Sequence, residues 1–90
     1  MKRILIIEDE FQTRRNLATI LHMEGYEPLL AADGKEGVTV ARRERPALIL
    51  CDVMMPVMDG HDVIAVLRED SSTAHIPFIF LTARGERSYD

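Results

Sequence analysis

Short apolar runs divide the chain, and polar residues follow each of them. Residues 4–7, 47–51 and 78–81 are uninterrupted apolar runs, and residues 26–31 form a fourth, less continuous one. Runs of this length are typical of strands that are buried on both faces, as in a parallel sheet. Pro77 is compatible with the fourth run because proline is tolerated as the first residue of a strand. The pattern therefore predicts four strands.

Apolar residues recur at helical spacing between these runs. We expect helices over residues 11–24, which Gly25 would end, and over residues 35–45, which Pro46 would end, with a third capped by Asp59. The apolar side of the first helix comprises Leu17, Ala18, Ile20 and Leu21. The inner positions of the second helix are Gly37, Val40 and Ala41, and those of the third are Val63, Ile64 and Leu67. This alternation predicts an α/β fold with an open parallel sheet and helices on both faces.

Composition is that of one ordinary small domain. The 90 residues are 47% hydrophobic and 29% charged, and 11 basic against 15 acidic residues give a net charge of −4. This balance argues against binding nucleic acid or an anionic membrane through a general positive field. The single cysteine, Cys51, excludes an internal disulfide framework and a multi-thiolate zinc site. No apolar run approaches the length of a membrane span or a secretory signal, so the expected compartment is the cytoplasm.

Acidic and hydroxyl side chains follow the predicted strands. Glu8, Asp9 and Glu10 follow the first, Asp52 follows the third, and Thr82 with Ala83 follows the fourth. Ligands of open parallel sheets bind at the carboxyl ends of the strands, so these residues are expected to meet in one crevice. Crowded carboxylates have raised pKa values unless a cation neutralises them, and an oxygen donor set favours Mg²⁺.

Such a crevice suits phosphoryl chemistry. A carboxylate such as Asp52 can attack phosphorus to form an acyl phosphate. The Thr82 hydroxyl and the Ala83 backbone N–H are placed to donate hydrogen bonds to the phosphoryl oxygens. Cys51 is expected to point away, because neighbouring strand residues face opposite sides of the sheet.

Three blocks of sequence resemble the receiver domain of two-component response regulators. They are residues 4–10, residues 48–60 with the pattern Asp-x-Met-Met-Pro-x-Met-Asp-Gly, and residues 76–83. The resemblance runs from residue 2 to residue 87. It implies a flavodoxin-like, doubly wound sheet of strand order 2-1-3-4, in which the family's fifth strand and last helices are missing.

The resemblance also implies roles for particular residues. Asp52 matches the aspartate that accepts a phosphoryl group from a sensor histidine kinase. Asp9, Asp52 and the backbone carbonyl of Met54 match the Mg²⁺ ligands, with Glu8 acting through water. Thr82 matches the hydroxyl that moves toward the phosphoryl group.

Two rim positions and one missing residue complete the comparison with the family pattern. Met54 and Arg84 match variable positions that tune the lifetime of the phosphorylated state. The family's lysine lies at the end of a fifth strand, where this sequence has already ended, and Lys35 does not match it. We therefore expect residues 1–90 to be a receiver domain truncated after its fourth strand, which leaves that strand as an exposed edge and favours self-association.

Competing interpretations remain. Asp52 alone could be a turn residue, and Glu10 could serve only the start of the first helix. An aspartate-nucleophile phosphatase resembling haloacid dehalogenases would need a second Asp where Met54 stands, so a switch domain is favoured over an enzyme. A dinucleotide-binding enzyme would need a glycine-rich turn after the first strand. A fragment that cannot be phosphorylated, and that acts only through folding or association, stays open because the lysine is missing.

Overall fold

Four strands and three helices alternate along the chain in a computed structural model that describes residues 1–81. The elements are β1 (Arg3–Ile7), α1 (Phe11–Met23), β2 (Glu27–Ala31), α2 (Gly34–Glu44), β3 (Leu48–Asp52), α3 (Gly60–Arg68) and β4 (Phe78–Leu81). None of the three helices in this part of the chain is both long and apolar enough to cross a membrane. The predicted order of elements is confirmed.

All four strands are parallel and lie in the order β2-β1-β3-β4. This order confirms the predicted α/β topology. Ile7 at the end of β1 pairs with Cys51 of β3, so the next residues along, Glu8 and Asp52, are neighbours at the same edge. The register alone therefore brings two acids together.

Helices cover the sheet on both faces. On one face, a core with residues of α2 and α3 contains Leu5, Ile7, Ile49 and Cys51 of the strands. On the other face, the alternate strand residues lie against α1. The inward positions Val63 and Leu67 of α3 are fully buried. Burying a side chain of this size contributes about 1.5–3 kcal/mol. The core between β1, β3, α2 and α3 is thus the most completely formed part of the molecule.

Acidic residues cap the three helices. Glu10 accepts hydrogen bonds from the backbone N–H groups of Gln12 and Thr13, and Asp33 accepts one from Glu36. Asp59 and Asp62 form a reciprocal capping box at α3, which confirms the predicted cap. Such caps satisfy backbone N–H groups that have no partner within the helix. Glu10 therefore serves the start of α1, the role that the sequence left open for it.

Some boundaries and faces differ from the prediction. Asp52 lies within β3 rather than after it, because its backbone continues the ladder opposite Leu81. Ile64 is only half-buried, whereas it was expected to face inward. Ile20 is 55% exposed, and α1 has no fully buried residue. The helical period identified α1 correctly but not the depth at which it packs.

Candidate functional site

Three carboxylates meet at the carboxyl end of the sheet. One oxygen from each of Glu8, Asp9 and Asp52 lies within 4.8 Å of the other two. Glu8 is 6% exposed and Asp52 5% exposed, while Asp9 is exposed. These acids line a crevice of about 440 Å³ together with Glu10, Thr13, Leu17 and Leu81. The predicted meeting of acids distant in sequence is confirmed for Glu8, Asp9 and Asp52.

Burial raises the pKa of Glu8 from 4.5 to about 7. Removal of the carboxylate from water is the largest cause, because low-dielectric surroundings disfavour the charged form. The backbone N–H of Glu10, which donates to Glu8 Oε2 at 3.0 Å, offsets part of this effect, and the charges of Asp52 and Asp9 raise the pKa further. The pKa of Asp52 is also raised, again chiefly by burial. The direction matches the prediction, but burial outweighs charge crowding.

No basic side chain neutralises these acids within residues 1–81. The salt bridges in that part of the chain join Arg3 to Glu44, Arg42 to Asp70, and Arg43 to Glu44. Buried carboxylates without a cationic partner are unfavourable, and a hard divalent cation with oxygen ligands would remove the penalty. The donor set at the site therefore fits Mg²⁺.

The loop after β3 packs closely on Asp52. The backbone N–H of Met54 donates to Asp52 Oδ1 at 3.3 Å, and the N–H of Gly60 donates to the Val53 carbonyl at 2.9 Å. A Cβ atom on Gly60 would lie 2.6 Å from the Asp52 carbonyl oxygen, so only glycine permits this approach. Val57 lies in the same loop with a φ of 69° and a fully exposed side chain. The loop thus fixes the backbone around Asp52.

The sequence matches the model of a known protein family. The family described as response regulator receiver domain matches residues 4–90. The chain belongs to this family. It is a phosphoacceptor switch domain of two-component signalling rather than a catalytic enzyme. Its acidic cluster is typical of the magnesium site of receiver domains.

Relatives of the receiver domain are longer proteins. The chain is 48% identical over 85 residues to "Probable transcriptional regulator ycf27" of Cyanophora paradoxa, a match that covers 94% of this chain and 34% of that relative. It is 43% identical over 88 residues to "Response regulator PleD" of Caulobacter vibrioides, covering 94% and 19%. The chain thus spans about a third or less of the length of these two curated relatives.

Solved structures share the receiver fold. The structure of the Vibrio cholerae chemotaxis protein CheY4 at low pH has a TM-score of 0.89 and 34% identity, covering 99% of this chain and 72% of that one. The N-terminal domain of a response regulator receiver protein from Methanoculleus marisnigri has a TM-score of 0.90 and 31% identity, covering 97% and 71%. These likenesses agree with the strand order found here.

The remaining residues named in the sequence analysis lie in different parts of the chain. Thr82, Ala83 and Arg84 lie outside the described residues. Met54 is 78% exposed at the rim. Cys51 is fully buried in the core and points away from the crevice, as predicted.

Two methionines of the loop after β3 pack in or against the core, and one arginine contacts the backbone of the site. Met55 is buried in the core and Met58 packs against it, so both methionines contribute to packing rather than to the acidic crevice. Sequence reasoning missed Arg14, whose Nη1 donates to the Glu8 carbonyl at 2.8 Å. Its position one helical turn after Glu10 was the available signal.

Proposed function

We propose that Asp52 accepts a phosphoryl group from a sensor histidine kinase and that Glu8, Asp9 and Asp52 hold Mg²⁺ beside it. The observation that carries this proposal is the meeting of the three carboxylates within 4.8 Å at the carboxyl end of β1 and β3. Membership of the receiver family supports it. The ligands would be Asp9, Asp52 and the backbone carbonyl of Met54, with Glu8 acting through water.

The proposed reaction is a displacement at phosphorus. An Asp52 carboxylate oxygen forms a bond to phosphorus while the bond from phosphorus to the kinase imidazole nitrogen breaks, and that nitrogen keeps the electron pair. Asp52 must be ionised to attack, and its pKa is raised by burial. A bound Mg²⁺ supplies positive charge that favours the ionised carboxylates and offsets the charge of the phosphoryl oxygens. Thr82 and Ala83 are proposed as hydrogen-bond donors to those oxygens.

The test is phosphorylation by acetyl phosphate in the presence of Mg²⁺, read by intact mass. Wild-type protein is expected to gain the mass of one phosphoryl group, and Asp52→Asn none. Asp33→Asn is the matched control, because asparagine caps a helix as well as aspartate and the same charge is removed. Equal modification of wild type and Asp52→Asn would refute the assignment to Asp52.

An unmodified wild-type chain would favour the other interpretation. A folded wild type that gains no phosphoryl mass would support a receiver fragment that acts only through folding or association. Four points stay predictions: a sensor histidine kinase as the phosphoryl donor, the cytoplasmic location, self-association of the chain, and domain limits at residues 1–90.

A further inference from the structure

A groove separate from the acidic crevice runs between α1 and β2. It has a volume of about 510 Å³. Its apolar lining includes Phe11, Ala18, Pro28 and Leu30, and its basic lining is Arg14 and Arg15. Phe11 is 58% exposed and Leu30 42% exposed, so two large apolar side chains face solvent here. The groove combines an apolar floor with positive charge, and within residues 1–81 no acidic side chain lines it.

The two arginines of the groove lack a salt bridge to a carboxylate within the described residues. The ion pairs found there use Arg3, Arg42 and Arg43. The guanidinium carbons of Arg14 and Arg15 lie 5.5 and 5.7 Å from the centre of the Phe11 ring. Arg14 is already engaged by the Glu8 carbonyl, and its charge lowers the pKa of Glu10. Arg15 is therefore the freer positive charge, in a chain whose net charge is −4.

The edge of β2 determines which kind of segment fits beside this groove. Glu27 donates its N–H to the Lys2 carbonyl and Ala31 accepts from Glu8, so alternate residues of β2 face β1. Pro28 and Leu30 therefore face outward, and proline has no N–H. The next outward N–H, that of Ala32, donates to Glu36 Oε1 at 2.8 Å. Leu30 is left as the only outward donor between residues 28 and 32, which disfavours addition of another strand.

We propose that this groove binds an acidic amphipathic helix of a partner protein. Apolar side chains of that helix would cover Phe11 and Leu30, and its carboxylates would lie against Arg15 and Arg14. Helices that bind grooves use an apolar stripe of this kind, and opposite charges at the rim select the partner. This binding goes beyond phosphoryl acceptance and does not require Asp52.

The probe is a designed peptide of about 18 residues, long enough to form a helix, with leucines on one face and glutamates on the other. Titration into ¹⁵N-labelled protein should shift the amide signals of Arg15, Ala18 and Leu30. Arg15→Glu should weaken binding by about tenfold, because one attraction is lost and one repulsion is gained. Lys35→Glu is the matched control, since it makes the same charge change at an exposed position of α2 and should bind as wild type does.

Each outcome of this titration bears on the proposal. Asp52→Asn should bind the peptide unchanged, which separates this site from the phosphoacceptor. A scrambled peptide of the same composition should bind more weakly. Absence of binding, shifts centred on α2, or equal affinity of wild type and Arg15→Glu would overturn the proposal. Equal binding of the scrambled peptide would show attraction by charge alone and would also overturn it.

Discussion

Replacing Glu8 with glutamine should stabilise the metal-free protein at neutral and alkaline pH. The Glu8 carboxyl has a pKa of about 7 in the folded protein, against its ordinary value of 4.5. The folded state therefore binds more protons than the unfolded state between these two values, and stability falls as the pH rises through that window. Below pH 4.5 the carboxyl is protonated in both states and the penalty is absent. Above pH 7 the full penalty applies.

The size of the effect follows from the two pKa values. At about 1.4 kcal/mol for each tenfold change, the difference between 4.5 and about 7 corresponds to about 3 kcal/mol. Most of this, about 2–3 kcal/mol, should be lost between pH 5 and pH 8. Glutamine removes the titration, and its side-chain carbonyl can still accept the hydrogen bond from the Glu10 backbone.

Urea unfolding followed by circular dichroism measures this directly. Samples at pH 5 and pH 8 should contain EDTA so that no cation occupies the site. With a urea dependence of about 1–3 kcal/mol/M, the midpoint of Glu8→Gln should exceed that of wild type by about 1–3 M at pH 8. Glu27→Gln, at an exposed position of β2, controls for the change of net charge. Parallel pH profiles for wild type and Glu8→Gln would refute the reasoning.

Two further predictions test the metal site and the loop after β3. Asp9→Asn should weaken Mg²⁺ binding at least about tenfold, because one charged oxygen ligand of a small donor set is lost; calorimetric titration measures the affinity, and an unchanged value would contradict the role of Asp9. Val57→Asn should raise the free energy of unfolding by about 1 kcal/mol, because a β-branched residue at a φ of 69° is strained whereas asparagine tolerates this conformation. The Val57 side chain is fully exposed, so no packing is lost, and a melting temperature equal to or below that of wild type would contradict the strain.

The sequence predicted the sheet well because each central strand is an uninterrupted apolar run. A run such as residues 4–7 has to be covered on both faces, which by itself indicates a parallel sheet with two helical layers. The same logic placed Glu8 and Asp52 at one edge. The sequence could not show that burial, more than mutual repulsion, perturbs their pKa values, because solvent exposure depends on how deeply the strand ends lie.

The surface of α1 was harder to predict. The apolar residues of this helix were expected to share one side, yet Ile20 is largely exposed and Phe11 contributes to the groove beside β2. Helical periodicity indicates which residues share a side, but not which side has a neighbour. The bond from Arg14 to the Glu8 carbonyl likewise depends on the angle at which α1 leaves the sheet.

The closed loop between Val53 and Gly60 combines a fixed backbone with exposed side chains. Its ends are joined by a backbone hydrogen bond, and Gly60 leaves no room for another side chain beside Asp52. Met54 and Val57 nevertheless extend into solvent from this fixed frame. Substitutions at these two positions can therefore change the surface around Asp52, while the backbone geometry beneath them is preserved.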